Sequence, residues 1–149
     1  MPMCNENAQS LFIKFLEQYT DVSKVYWYYW YPLCILKKEV PVVAYNIRKI
    51  YCDNGIHHLE AVLKCHNIRK VKAFQMLNDN TEAQTEDLVE LLYRKEDDVY
   101  TFPWKVETYY YDDSKKWMIY VSHEWSITFT GELLVNTAKE VIPTQFLYA

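Results

Sequence analysis

The sequence predicts an α+β domain: an antiparallel sheet with helices packed mainly on one face. Three observations lead there. Apolar residues recur at helical spacing through much of the first two thirds and again near the end. Short alternating runs fill Val99 to Thr130. Turn residues, rather than long Gly- or Pro-rich linkers, separate the segments. With 149 residues and only 2 Gly, residues 1–149 read as one domain. A chain of this size buries roughly 68–70% of its unfolded surface, so it needs neither a metal nor disulfides for stability.

Leu11, Phe12, Phe15, Leu16 and Tyr19 form one apolar stripe, which predicts a helix over Ala8–Tyr19. Val25–Tyr31 is almost wholly aromatic and stops at Pro32, as a strand would. Val42–Tyr51 fits both periods: Val43, Ile47, Ile50 and Tyr51 suit a helix, while Val43, Tyr45 and Ile47 suit a strand. Asp53-Asn54-Gly55 then suits a helix C-cap or a turn. Ile56–His66 reads as a helix and Lys70–Leu77 as a strand. Thr81 and Gln84 have capping-box spacing, which predicts a helix running through Leu88, Val89, Leu92 and Tyr93, with Glu90 and Arg94 paired across one turn.

From Val99 onward the predicted elements are strands: Val99–Trp104, Val106–Tyr111, Lys116–Val121 and Trp125–Thr130. The last of these alternates most clearly. Trp125, Ile127 and Phe129 face one way and Ser126, Thr128 and Thr130 the other, predicting one buried face and one wet face. Gly131 bends the chain. Glu132–Ile142 is a predicted helix carrying Leu133, Leu134, Ala138 and Val141, stopped by Pro143, and Thr144–Tyr148 is read as a final edge strand.

Charge is distributed unevenly along this framework. Asp79 to Asp113 holds 11 acids and 3 bases, a balance of −8, whereas the remainder holds 9 acids and 13 bases, a balance of +4. A concentrated acidic face steers a basic partner toward it. Tyr109, Tyr110, Tyr111, Trp117 and Tyr120 lie beside the acidic stretch, and Tyr and Trp at a charged surface are common interface anchors. The candidate partner-binding residues are therefore Asp97, Asp98, Glu107, Tyr109, Tyr111, Asp112, Asp113, His123 and Glu124. A solvated helix face with two charged turns is the plainer explanation of the acids. Arg48, Lys49, Lys64, Arg69, Lys70 and Lys72 form a modest basic region, too sparse on a chain of net charge −4 to point to nucleic acid.

Other chemistry is less well supported. Ser122-His123-Glu124 places adjacent side chains on opposite faces of an extended chain, so it reads as a polar hairpin turn and not a hydrolase triad. Cys52, His57, His58, Cys65 and His66 cluster but match no familiar zinc spacing, so no metal or other cofactor is expected, and the helix is read as carrying exposed histidines and a buried thiol. Cys4, Cys34, Cys52 and Cys65 form no disulfide framework and suit a reducing cytoplasm. Met1–Ser10 is polar, without a basic-then-apolar pattern, so no secretory signal is expected, and no apolar stretch reaches membrane length.

Glu107-Thr108-Tyr109-Tyr110-Tyr111-Asp112, Trp117-Met118-Ile119-Tyr120, Ser122-His123-Glu124 and Ser126-Ile127-Thr128-Phe129 together resemble a segment of small bacterial toxin-immunity proteins. The likeness covers the last third of the chain. It implies a cytoplasmic, non-catalytic binding protein that blocks a toxin domain, and it assigns no individual residue. Combined with the charge layout, it leads to the expectation of an inhibitor that occludes a basic, nuclease-like toxin. The competing expectation is a small-ligand-binding or enzymatic domain with a pocket near His123 and Glu124.

Overall fold

The computed structural model describes residues 41–75, 84–93, 95–96, 99–100, 108–114, 116–122 and 124–148. The predicted Ala8–Tyr19 helix and Val25–Tyr31 strand lie outside these residues. In chain order the elements are β1 (Val42–Asn46), α1 (Ile47–Cys52), α2 (Ile56–Cys65), β2 (Lys70–Gln75), β3 (Gln84–Asp87), α3 (Leu88–Leu92), β4 (Lys95–Glu96), β5 (Val99–Tyr100), β6 (Thr108–Tyr111), β7 (Met118–Val121), β8 (Ser126–Thr130) and α4 (Glu132–Val141). A short 3₁₀ turn, Thr144–Phe146, follows.

Six strands form one antiparallel sheet in the order β1-β8-β7-β6-β2-β3, and β4 pairs with β5 separately. The C-terminal meander β6-β7-β8 sits in the middle, and the earlier strands β1 and β2 add to its two sides. Val43, Phe129, Ile119, Tyr110 and Ala73 form one row across the sheet, set by register. All five belong to the main apolar cluster, together with Leu59, Val62 and Leu63 of α2, Leu88 and Leu92 of α3, and Leu134, Val135 and Ala138 of α4. The helices thus cover this face, as the α+β expectation required.

The opposite face is buried too. Ala44, Thr128, Tyr120 and Tyr109 form its middle row, and each is at most 4% exposed. The wet face predicted for β8 is therefore not wet: Ser126, Thr128 and Thr130 are fully buried. Their hydroxyls manage burial differently. Thr130 Oγ1 donates to the Met118 carbonyl at 3.0 Å, and Ser126 Oγ shares a 2.6 Å hydrogen bond with Ser122 Oγ. Thr128 Oγ1 has no partner among the described residues.

Local chemistry fixes the junctions. Val42–Tyr51, which fitted both periods, is a strand followed by a helix, and Asn46 caps α1 by accepting from the Lys49 N–H at 3.1 Å. Asn54 adopts the left-handed conformation after α1, and Gly55 N–H reaches back to the Ile50 carbonyl at 2.7 Å, which closes the helix end. Asn67 repeats the device after α2, with Ile68 N–H on the Leu63 carbonyl at 2.8 Å. The predicted Thr81/Gln84 capping box is not what starts α3. Gln84 lies in β3 opposite Ala73, and Asp87 is the cap, accepting from the Glu90 N–H at 3.1 Å. Pairing with β2 keeps 84–87 extended, so the helix begins only where that pairing ends. Arg94 lies outside the described residues. Thr144–Tyr148 is the 3₁₀ turn plus a single bridge from Leu147 to Tyr45 instead of an edge strand.

Candidate functional site

Folding brings two bases from outside the acidic segment onto two of its acids, Asp87 and Asp113. Basic β2 and the loop before it lie between strands that end in acids. Arg69 pairs with Asp87 at 3.1 Å and Lys72 with Asp113 at 2.5 Å, while Lys64 pairs with Glu60 at 2.9 Å along α2. Three members of the basic region are thus committed to nearby carboxylates. Tyr93 Oη also donates to Glu60 at 2.7 Å, and the Lys64 and Tyr93 hydrogen bonds hold the Glu60 carboxyl below its ordinary pKa.

Among the described residues, the predicted binding positions fall in different places. Asp97, Asp98, Glu107 and His123 lie outside the described residues. Tyr109 is 1% exposed and Tyr111 is also buried, so both are core residues here and not surface anchors. Tyr109 packs on Tyr120 with ring centroids 4.5 Å apart. Asp112 and Asp113 sit in the turn before β7 and Glu124 in the turn after it, at opposite ends of that strand.

At the Asp112 end there is an open groove of about 450 Å³, lined by His66, Asp112, Trp117, Glu132 and Leu133 among others. Its walls converge because β8 ends beside the start of β7 (Thr130 opposite Met118) and α4 begins immediately afterwards. Gly131 makes that junction possible. It has φ of +106°, and a Cβ there would lie 2.4 Å from the Lys116 carbonyl oxygen.

Asp112 is held rigidly. Oδ1 accepts from Ser114 N–H at 2.9 Å and from Ser114 Oγ at 2.5 Å, and Oδ2 accepts from the Trp117 indole N–H at 3.1 Å. His66 Nε2 is 2.7 Å from Thr137 Oγ1. Leu133 is 69% exposed, the most exposed large apolar residue described. The sequence groups Leu133 with Leu134, Ala138 and Val141 as the apolar residues carried by this helix, and its spacing already sets it apart. Leu134, Val135 and Ala138 define the buried stripe, whereas Leu133 shares its face with Asn136, Thr137 and Glu140. Chemically, the groove offers an apolar contact beside a fixed carboxylate, with Glu132 and Lys116 nearby.

The cysteine and histidine cluster does not converge on an ion: among the described residues no group of three His, Cys, Asp or Glu could hold a metal. Cys52 and Cys65 are both exposed, so the predicted buried thiol is not found. Cys65 lies in the last turn of α2, off the face that carries Leu59, Val62 and Leu63. The His57 and His58 rings lie 4.0 Å apart, tilted by 41°, and the His58 ring lies 6.0 Å from that of Phe146. Burial, then the neighbouring His57, lowers the pKa of His58. No helix among the described residues is long and apolar enough to cross a membrane.

The Ser122–Trp125 turn is built as a polar hairpin. Ser122 Oγ accepts from Glu124 N–H at 3.1 Å, and Trp125 N–H donates to the Ser122 carbonyl at 3.2 Å. Trp125 has φ of +64°, a conformation that disfavours side chains with a Cβ by roughly 1–2 kcal/mol. The guanidinium carbon of Arg48 lies 4.7 Å from the centre of the Trp125 ring.

No protein-family model, curated protein sequence or solved structure matches this chain.

Proposed function

We propose that this chain is an inhibitor-type binding protein that neutralises a basic bacterial toxin domain by binding and occluding it in the cytoplasm. The observation that carries the reading is the pairing of exposed Leu133 with the immobilised Asp112 carboxylate across one groove. An apolar contact beside a pre-positioned acid suits a basic partner. The apolar surface stabilises the complex, and the carboxylate fixes register without first having to be ordered. Glu132, exposed at the start of α4, adds a second carboxylate to the groove lining. The −8 segment and the resemblance in the last third of the chain support the same partner class. The groove and Glu124 lie at opposite ends of β7, so the groove gives no support to a pocket at His123 and Glu124.

The test is co-expression with the C-terminal domain encoded directly upstream, scored as cell survival. The wild-type chain is expected to rescue growth. Leu133→Lys is expected to abolish rescue while the protein stays soluble, because it places a cation where a basic partner would dock. Cell death despite soluble wild-type expression would overturn this pairing.

A further inference from the structure

The side chains that line the Asp112 groove offer acceptors and almost no free donors. Thr137 Oγ1 donates to the Leu133 carbonyl at 3.1 Å, so the hydroxyl hydrogen is spent. In the 2.7 Å bond between Thr137 Oγ1 and His66 Nε2 the imidazole is therefore the donor. A neutral ring with its proton on Nε2 leaves Nδ1 as a bare lone pair. Ser114 Oγ spends its hydrogen on Asp112 Oδ1 in the same way. Asp112 Oδ2 accepts from the Trp117 indole at 3.1 Å, which uses one of its lone pairs and leaves the other. The exposed Glu132 carboxylate has no hydrogen-bond or ion-pair partner among the described residues. The exposed Lys116 ammonium is the one uncommitted side-chain donor among the described lining residues.

An occupant of this groove must therefore bring donors. A phosphate or carboxylate brings acceptors alone, and would face two carboxylates and an imidazole lone pair with Lys116 as its single attraction. The acceptors also come from three elements: Asp112 from the turn before β7, Glu132 from the start of α4 and His66 from the end of α2. An ammonium concentrates three donors on one strongly hydrated point. A guanidinium spreads five over a flat, weakly hydrated plate that can serve separate acceptors, and its stem packs on apolar surface. Leu133, 69% exposed, supplies that surface within the same lining. We propose that the groove takes an arginine side chain of the partner, its stem on Leu133 and its guanidinium on the Asp112 and Glu132 carboxylates. This rests on the reading of the groove as the docking site of a basic partner, and it names the group that the partner inserts.

The test is a ¹H–¹⁵N titration of the full chain with the capped dipeptide leucyl-arginine, and in parallel with leucyl-lysine and leucyl-citrulline. Citrulline has the shape of arginine without its charge. Leucyl-arginine is expected to shift the Trp117 indole and Leu133 amide signals together and saturably. Leucyl-lysine should bind at least threefold more weakly, and leucyl-citrulline at least tenfold. Glu132→Gln is expected to weaken leucyl-arginine binding at least fivefold. Glu90→Gln, the same charge change on exposed α3, is the unchanged control. Glu132 is exposed, so its variant keeps the fold and the comparison stays decisive. Three results would each overturn the proposal: no shift at millimolar peptide, lysine or citrulline binding as tightly as arginine, or unaltered binding in Glu132→Gln. Any of these alongside growth rescue by the wild-type chain removes the arginine and leaves the inhibitor standing. Failure of rescue removes the inhibitor reading itself.

Discussion

Lys72 Nζ lies 2.5 Å from Asp113 Oδ1, joining β2 to the turn between β6 and β7. The pair is exposed, with side chains 46% and 84% accessible, so solvent screens it and it contributes at most ~1 kcal/mol. The hydrogen bond to Asp113, more than the charge itself, raises the Lys72 pKa. A raised folded-state pKa stabilises the fold below the ordinary lysine value, and the contribution is lost as pH rises through the folded value. Lys72→Met is therefore expected to lower Tm slightly at neutral pH, with the difference from wild type vanishing under strongly alkaline conditions. A Lys72→Asp, Asp113→Lys swap should recover most of the loss in either single variant. A double-mutant cycle in urea checks both points.

The two glycines are expected to resist substitution to different degrees. At Gly55 an added Cβ would lie 2.9 Å from the tip of the Phe146 ring and 3.2 Å from the Ile50 carbonyl oxygen. Phe146 is buried, so Gly55→Ala should cost about 1–3 kcal/mol through overpacking. Gly131→Ala should cost more, because a left-handed φ is combined with a backbone clash that no flexible side chain can relieve. It should also disturb the groove, since the contacts involve Lys116 and Trp117. Urea denaturation ranks the two, and a smaller loss at Gly131 would contradict the geometry.

Tyrosine ionisation sets the alkaline limit. Burial pushes the Tyr45 hydroxyl up to about 12 from an ordinary 10.0, and burial raises Tyr51 and Tyr111 as well. Between those values the unfolded chain loses the Tyr45 proton while the folded chain keeps it, so stability falls as pH rises from about 10 to about 12. For Tyr45 alone the loss is roughly 2–3 kcal/mol. Thermal unfolding at stepped pH should show Tm dropping through this window. Tyr45→Phe should flatten the drop. A Tm independent of pH up to 12 would show that Tyr45 ionises without resistance from the fold.

The sequence carried the elements better than the surfaces. Helices α2 and α4 were legible because each has a one-sided apolar stripe, and β6 to β8 because turn residues bracket short apolar runs. Misreadings arose where a distant partner decided the outcome. Gln84 has capping-box spacing, but pairing opposite Ala73 makes it a strand residue. Ser126, Thr128 and Thr130 alternate as a solvated face would, yet the sheet is buried on both sides. The −8 segment looks like a patch in one dimension, but Arg69 and Lys72 approach it only after β2 is placed beside β3 and β6. Trp125 gave no local sign of a left-handed backbone, since nothing about Trp favours one.

Thr128 offers the sharpest test of the buried second face. Its side chain is fully buried in β8, between Ala44 on β1 and Tyr120 on β7, and its hydroxyl has no hydrogen-bond partner among the described residues. An unsatisfied buried hydroxyl costs about 1–3 kcal/mol relative to a satisfied one. Valine has nearly the same shape, lacks the hydroxyl and favours strands. Thr128→Val is therefore expected to stabilise the protein by about 1 kcal/mol, seen as a higher Tm and a higher urea midpoint at unchanged slope. Thr128→Ser keeps the hydroxyl and deletes a methyl group, and should destabilise by a similar amount. If Thr128→Val instead lowers the midpoint, the hydroxyl makes a bond worth keeping, and the second face of the sheet is polar at its centre.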